Sequence, residues 1–410
     1  MRCGKVLALK DIILTEIDVG ERGKIDQVLR RTQRRYAVEK AASVEIDQLL
    51  DFFARAYRDQ FNAGAYRDKD TIAERWKWAN LNNPNIADGC DTAWICRDKD
   101  SGRIVGHFGT TPVSLKVGSE CLPAVWGRDL IILSEFRKLG IGPLLIDAVL
   151  KSTKPGSKLF LIAGLNEAVF SIYQKLGFID LGFIPLYVRI NRLDNILQSR
   201  IKNRMLAKAI DVCGRGLLKT FYTFSRLKGF KAASSQKQIL ISQITKFDNS
   251  FDRLWERCGS SFSIISRRDS VSLNWRFIQQ PYWNYSIFKA VDRQTKETTG
   301  YVVLRESKNR GLRMGVISDL FARPDDKGTI FSLINFAVSH FEKKAGIDLI
   351  RCDILHQRIS RVLKKFGFLR IRSRSHFMLT NIDQQLNRQL IVNRNNWFIN
   401  YADSDLDLAV

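Results

Sequence analysis

Paired cysteines are missing from this chain. Its seven, Cys3, Cys90, Cys96, Cys121, Cys213, Cys258 and Cys352, are odd in number and scattered, with no Cys-x-x-Cys. That pattern argues against a disulfide framework and against a zinc site. Histidine is scarce: His107, His340, His356 and His376 are equally dispersed, so no metal is expected. These thiols and imidazoles read as ordinary buried or surface groups. No run approaches the ~20 consecutive apolar residues that a membrane-spanning helix needs. The segment Met1 to Asp11 has too short an apolar core for a secretory signal, so the expected location is the cytoplasm. Acidic side chains are outnumbered, 42 Asp and Glu against 66 Lys and Arg, which leaves a formal net charge of +24. A surplus of that sign suits a polyanion: nucleic acid, an anionic membrane, a nucleotide-linked substrate or coenzyme A. Many basic surfaces bind nothing in particular, so charge alone does not choose among these.

What is present is the material of a folded protein. At 410 residues the chain can form two or three domains with sizeable cores, and 45% apolar with 26% charged residues is ordinary for a globular protein. The most informative stretch is Glu135-Phe136-Arg137-Lys138-Leu139-Gly140-Ile141-Gly142. An apolar run, Leu130 to Leu133, precedes it and reads as a strand; Pro143 to Leu150 follows and reads as an amphipathic helix. A strand, then Arg-x-x-Gly-x-Gly, then a helix is a plan for holding a diphosphate. Small residues let backbone N–H groups crowd around the anion, and the helix N-terminus adds partial positive charge. Pro143 falls in the first helical turn, where its missing N–H is tolerated.

The two halves of the sequence repeat each other. Asp129-Leu130 is matched by Asp319-Leu320, and Leu165 to Phe178 parallels Leu355 to Phe368 at the same offset. Trp76-Lys77-Trp78 before Pro84 resembles Trp275-Arg276-Phe277 before Pro281, and Gly106 and Gly300 each open an apolar strand. One duplicated unit explains all four. Each unit begins with an amphipathic helix, marked by Ile46, Leu49, Leu50, Phe53 and Tyr57 in the first and by Phe251, Leu254 and Trp255 in the second. Short strands follow, with turns such as Asp98 to Gly102; then come a central strand, a helix, a strand from Leu159 to Ala163, another helix and a last strand from Pro185 to Ile190. The expected fold class is α/β (α+β): two mixed-sheet units in tandem. Between them, Arg189 to Gln238 carries 12 Lys or Arg against two Asp, with apolar residues such as Leu197, Ile201 and Met205 at near-helical spacing. A connecting helical pair, a basic helix on an anionic membrane and a nucleic-acid contact all fit that stretch.

The Arg-x-x-Gly-x-Gly loop, followed by Asn-x₆-Tyr-x₃-Gly-Phe, resembles the GNAT family of acyl-CoA-dependent N-acyltransferases. The residues that carry the likeness are Arg137, Gly140, Gly142, Asn166, Tyr173, Gly177 and Phe178. The full pattern covers about residues 40 to 190, and a weaker copy covers about 240 to 382. The resulting division is an N-terminal extension (1–36), a GNAT domain with an intact loop (37–190), a basic helical linker (191–238), a degenerate GNAT-like domain (239–382) and a C-terminal tail (383–410). The resemblance implies that acetyl-CoA is held by Ile132, Arg137, Lys138, Leu139, Gly140, Ile141, Gly142 and Asn166. It puts Tyr173 at the place of the family's general acid, although an amphipathic-helix aromatic packed beneath the sheet reads the same. Asp129, taken as the start of the central strand, could be the base or could serve structure, since Asp319 repeats it in a unit without the loop. Glu135 is expected to face solvent or Arg137. A chain of waters is a third source of the base.

The second unit reads Ala322-Arg323-Pro324-Asp325-Asp326-Lys327-Gly328 where the first has its glycine loop. Adjacent carboxylates repel a diphosphate, Pro324 removes a donor, and Val362-Leu363 leaves no tyrosine at the place of Tyr173. This unit is therefore expected to complete or cover the acceptor site without catalysing. Repetition of the tryptophan segments favours packing over ligand stacking. The tail, with Asp403 and Asp405, could fold over the first unit and bind an amino group, or could simply be solvated. Its aromatic-then-acidic ending is similar to that of tandem GNAT proteins of bacterial surface-polysaccharide clusters. The leading reading is an acyl-CoA-dependent N-acyltransferase acting on a small-molecule primary amine, such as an amino sugar or nucleotide-linked amino sugar. Nucleic acid is not an expected partner on this reading, whereas contact with an anionic membrane surface is compatible with it. The rivals are a Fem-type aminoacyl-tRNA-dependent transferase and a non-catalytic GNAT pair on an anionic surface.

Overall fold

The computed structural model describes residues 19–43, 45–60, 68–88, 90–153, 156–193, 195, 238–309, 311–373, 375–381, 386–404 and 407. The chain enters through α1 (Val19–Arg35), whose buried Ile25, Leu29 and Thr32 recur at helical spacing. A first series of elements follows: β1 (Tyr36–Lys40), α2 (Ile46–Gln60), α3 (Lys69–Asn80), β2 (Ala93–Asp98), β3 (Ile104–Val117) and β4 (Glu120–Ile132). It continues through α4 (Ile141–Thr153), β5 (Leu159–Ala163), α5 (Glu167–Lys175), β6 (Ile179–Phe183) and β7 (Leu186–Ile190).

A second series takes the same order. It runs β8 (Ile239–Ile244), α6 (Ser250–Gly259), an added short strand β9 (Ile264–Ser266) and α7 (Ser270–Leu273), which passes into a π-helical turn at Asn274–Ile278. Next come β10 (Ser286–Asp292), β11 (Thr298–Asn309), β12 (Leu312–Ala322), α8 (Lys327–Lys343), β13 (Leu349–Leu355), α9 (Gln357–Lys365), β14 (Leu369–Ile371) and β15 (His376–Asn381). α10 (Arg388–Val392) and β16 (Trp397–Asn400) close the chain. Mixed strands and helices in this order are the expected fold class. The basic stretch expected as a helical linker lies, from 196 to 237, outside the described residues, as does Asp405.

The halves exchange their last strands. β7 pairs with β13 and β14 of the second series, whereas β15 pairs with β5 and β6 of the first. The segment Pro185 to Ile190 was expected to finish its own unit's sheet; its ladder lies in the other's. Pro185 marks the crossing, because its carbonyl already accepts from Ile354 N of β13 at 3.0 Å. β9 and β16 bridge what remains, β9 pairing with β3 and with β16, and β16 with β13. One continuous sheet results, with strand exchange tying its halves together.

α4, α5 and α1 cover one face of the first half's sheet, sharing a core of Ile25, Leu29, Leu145, Val149, Phe160, Tyr173 and Phe178. α2 and α3 cover the opposite face around Leu49, Phe53, Ile72 and Ile95. Where the halves meet, Trp78 and Trp275 stack with ring centroids 4.7 Å apart and planes 11° from parallel. Each indole N–H donates to the other residue's backbone carbonyl, at 2.8 and 3.0 Å. The repeated tryptophans therefore pack, as their repetition suggested, and they pack on each other.

Candidate active site

β4 and β5 run parallel and stay paired only from Ala124, Val125 and Trp126 to Leu159, Phe160 and Leu161. Beyond Trp126 they part, and Ile162 and Ala163 of β5 keep only their pairing to β15 on the other edge. A splay between parallel neighbours leaves unpaired edges facing one another, a slot that an extended ligand can enter. On the other flank of β4, Arg128 opposes Gly109 and Ile131 opposes His107, so Asp129 and Leu130 together face Phe108. This bulge gives Asp129 a φ of 52°, a left-handed conformation that a non-glycine residue rarely takes. Asp129 is thus near the far end of the central strand. It was expected at the start; β4 begins earlier, at Glu120, after a hairpin turned by Gly118.

The Asp129 carboxylate is fully engaged. Arg75 donates one Nη to both its oxygens at 2.6 and 2.7 Å, and Arg128 donates to Oδ2 at 2.9 Å. Arg75 also donates to Tyr57 Oη. Although burial raises the pKa of Asp129, the two guanidinium groups overcome it and hold the group at about 2. A carboxylate held there is a poor proton acceptor at neutral pH. Behind it, His107 is completely buried, with Nδ1 3.0 Å from the Asp129 carbonyl; burial lowers its pKa to about 4, so the ring is neutral and Nδ1 is the donor. His107 gave no sequence signal beyond its place in β3. It buttresses the bulge from the neighbouring strand.

The glycine loop leaves β4 through a 3₁₀ turn at Ser134–Phe136 and enters α4 at Ile141. Lys138 and Gly140 take φ of 64° and 87°, which turns successive N–H groups inward. Among the described residues, no acceptor meets the backbone N–H groups of 138 to 142. They stand together at the N-terminus of α4, where an anion is favoured. Arg137 is exposed and folds back so that its Nε donates to the Ile132 carbonyl at 3.3 Å. Glu135, expected to face solvent or Arg137, is exposed, and its solvent-facing carboxylate pairs with Arg103 at 3.1 Å.

A helix that sequence reasoning left inside an N-terminal extension adjoins this loop. Thr32 Oγ1 of α1 donates to the Leu139 carbonyl at 3.3 Å. A Cβ on Gly140 would collide with that hydroxyl and press on Val28 at 3.0 Å, so Gly140 is required by close approach as well as by φ. The spacing of Ile25, Leu29 and Thr32 is the signal that could have identified the helix. Gly142 differs: its φ is ordinary, and an added Cβ would meet Ile132 and Ile172 at 3.5 and 3.9 Å, normal contact distances. Those two isoleucines bring the end of β4 and the face of α5 beside the loop.

Of the other residues expected to act, Tyr173 is fully buried beneath the sheet, edge-on to Phe178 with centroids 4.7 Å apart. Asn166 is exposed and caps α5, its Oδ1 accepting from Val169 N at 3.0 Å. That cap sets the register of the helix bearing Tyr173 and Ile172. The structure therefore gathers Ile132, Gly142, Ile172 and the loop into one corner, with Tyr173 in the core behind it and Asp129 at the bulge. The described residues hold no cluster of three or more His, Cys, Asp or Glu suited to a metal, and none of their helices is long and apolar enough to cross a membrane.

The second half arranges the same places differently. Asp326 caps α8 with its own carboxylate, accepting from Thr329 N and Oγ1 at 2.9 Å each, so the helix N-terminus already holds an anion. Leu363 stands where Tyr173 stands in the first half. β12 and β13 also part after Ile317 and Cys352, but β16 and the following turn, Tyr401–Asp403, fill the gap. Asp403 does not reach over the first half as one expectation had it, and it is not solvated. It is buried against the second half, paired with Arg268 at 2.7 Å. Tyr301 supplies a hydroxyl to Asp319 at 2.8 Å within the same network.

Residues 46–178 match the model of the acetyltransferase (GNAT) family. Across 85% of this chain, the structure is similar to that of Saccharomyces cerevisiae N-myristoyltransferase with bound myristoyl-CoA, at 15% identity, 83% of that chain and a TM-score of 0.55. It is also similar to a GCN5-related N-acetyltransferase from Anabaena variabilis, at 14% identity over 85% of this chain and 73% of that one, with a TM-score of 0.54. A probable N-acyltransferase from Enterococcus faecalis gives 12% identity, the same coverages and a TM-score of 0.54. At these identities the structural likenesses speak for the fold. A search of curated proteins finds no match. The family match, on the segment that carries the loop, supports an enzyme of the N-acetyltransferase type.

Proposed function

We propose that this chain transfers an acyl group, acetyl in the simplest case, from coenzyme A to a primary amine, and that only its first half catalyses. The observation that carries this reading is the set of N–H groups at 138 to 142 that meet no acceptor among the described residues, at the N-terminus of α4 and beside the β4–β5 splay. A diphosphate seated there leaves the pantetheine arm directed along the slot toward the bulge. The amine attacks the thioester carbon, the tetrahedral intermediate collapses to the amide, and the coenzyme leaves as a thiolate that must gain a proton. Tyr173 is the donor we assign, supplying its phenolic proton to the sulfur. Asp129, committed to two arginines, is assigned to positioning: it holds the bulge, and water relays the proton lost by the amine.

The domain division stands in this proposal as a tandem pair, 37–190 and 239–382, with the second unit supporting the first. An amino sugar is the acceptor we assign, and its nucleotide-linked form, whose phosphates would meet basic side chains, suits the net charge of +24. The test is calorimetry of the full chain with acetyl-CoA and, separately, myristoyl-CoA. One saturable site per chain is expected, with the tighter ligand reporting the acyl length. Gly142→Glu should weaken binding at least a hundredfold by placing a carboxylate in the seat, while Gly142→Ala, whose Cβ finds ordinary contacts, controls for the fold. Tyr173→Phe should keep binding and slow turnover by about 10²–10⁴. Unchanged binding by Gly142→Glu would place the cofactor elsewhere.

A further inference from the structure

A turn of the second half reaches the group that holds the Asp129 bulge of the first. It follows the π-helical segment and reads Gln280-Pro281-Tyr282-Trp283. The buried Gln280 side chain braces it. Its Oε1 accepts from the Tyr282 and Trp283 N–H groups at 2.8 and 2.9 Å, and its Nε2 donates to the Trp283 carbonyl at 2.5 Å. Two neighbouring rings are thereby fixed, each against an arginine of a different half. The Tyr282 centroid lies 5.4 Å from the guanidinium carbon of Arg75, and the Trp283 centroid 4.5 Å from that of Arg305. Tyr282 is also edge-on to Trp78, one turn after Arg75 on α3, with centroids 6.0 Å apart.

Both arginines are buried and committed to a carboxylate. Arg305 donates its Nε to Asp407 at 2.8 Å, and Arg75 grips both Asp129 oxygens through one Nη at 2.6 and 2.7 Å. Arg75 also donates to Tyr57 Oη. Its guanidinium is therefore held by a hydroxyl of α2, a carboxylate of β4 and a ring brought by the other half. A cation beside a ring face is attracted by the quadrupole of the ring, more strongly where water is excluded. The arrangement is not reciprocal. Tyr-Trp follows Pro281, whereas Asn85-Ile86 follows Pro84 and supplies no ring. Rings that merely pack a duplicated fold would be expected in both units.

We propose that Tyr282 is a positioning residue: through Arg75 it holds Asp129, and with it the β4 bulge, so that the second half sets the geometry of the slot in the first. Its consequence for turnover rests on the acyl-transfer reading, in which the arm of the coenzyme points toward the bulge. The diphosphate seat at 138 to 142 is a separate place, so coenzyme affinity should not depend on Tyr282. The bulge has its own reporter, because His107 Nδ1–H donates to the Asp129 carbonyl at 3.0 Å.

The experiment is nuclear magnetic resonance of the full chain carrying nitrogen-labelled histidine, with the His107 N–H signal assigned by its loss in His107→Gln. Tyr282→Leu keeps an apolar side chain without the ring and should shift or broaden that signal. Tyr282→Phe restores a ring and should return the signal to the parent's position. Trp283→Leu alters the Arg305 side of the same turn and should leave it in place. Gln280→Ala removes the brace, should move the signal as Tyr282→Leu does, and keeps the test decisive if Tyr282→Leu does not fold. With acetyl-CoA and glucosamine as probes, Tyr282→Leu should lower kcat by about 10- to 100-fold while the KM for acetyl-CoA stays at the parent's value. A parent that binds no acetyl-CoA would count against the acyl-transfer reading alone, and the His107 signal would still decide the coupling. The inference is overturned if that signal is unmoved in every folded variant, if Trp283→Leu moves it equally, or if it moves while kcat does not change.

Discussion

The two halves carry the same parting of parallel strands and use it oppositely. In the first, β4 and β5 separate after Trp126, and the loop N–H groups at the α4 N-terminus meet no acceptor among the described residues. In the second, β12 and β13 separate after Ile317, but β16 and the Tyr401–Asp403 turn fill the space, and Asp326 occupies the helix N-terminus. Each half keeps an aspartate at its β-bulge, Asp129 or Asp319, locked by arginine. The aspartate therefore belongs to the architecture of the fold, since it persists where the loop does not. On the proposed function, a few backbone donors and an unfilled slot are what fit the first half for acyl-CoA and what the second half lacks.

The plug offers the largest break. Arg268 is the shared partner of Asp319 and Asp403, all three being buried, whereas Asp129 has two arginines. Arg268→Ala would leave two carboxylates together in the core without the cation that both bond. The expected loss is about 3–5 kcal/mol of unfolding free energy, read by urea titration. Arg75→Ala should cost less, because Arg128 still holds Asp129. Equal losses would mean that the tail network is no more than an ordinary ion pair.

How much of this was legible beforehand follows from where each signal resides. The loop and its helix were readable, because glycine spacing and an apolar period are local properties of the sequence. So was the failure of the second loop, since Pro324 and Asp326 are unsuited to a diphosphate by their own chemistry. Strand exchange was not readable: β7 and β15 have the same alternation whichever sheet accepts them, and ladder hydrogen bonds belong to backbone common to all residues. Asp403 looked like a surface residue because its partner, Arg268, is 135 positions away. Asp129 was misplaced along its strand for a related reason, since the bulge shows only in its register against His107 and Gly109.

Acid should act on both halves through their histidines. His107 beside the first bulge and His356 at the start of α9 are each held to a pKa of about 4, burial being the main cause. Both are neutral in the folded chain and take up protons more readily once unfolded, where the ordinary value is about 6.5. Stability contributed by the neutral rings is therefore complete above pH 6.5 and declines as pH falls toward 4. For His107 the loss approaches about 3 kcal/mol across that window. Unfolding measured between pH 7 and 4.5 should show a shallower slope in His107→Gln than in the parent. An unchanged slope would assign the acid sensitivity to other groups.

The smallest effect concerns the join. Trp78 and Trp275 stack and exchange indole hydrogen bonds across the halves, so each should matter less once the other is gone. A double-mutant cycle with Trp78→Ala and Trp275→Ala isolates that dependence, since losses confined to each half cancel. A coupling of about 0.5–1.5 kcal/mol is expected for the ring pair. Coupling near zero would mean that the halves are held together without help from the ring pair, by the exchanged strands and the β9–β16 bridge, and that the tryptophans serve only their own cores. A clear coupling would make the repeated tryptophan segment a second clamp, one that resists relative motion of an open half and its filled counterpart.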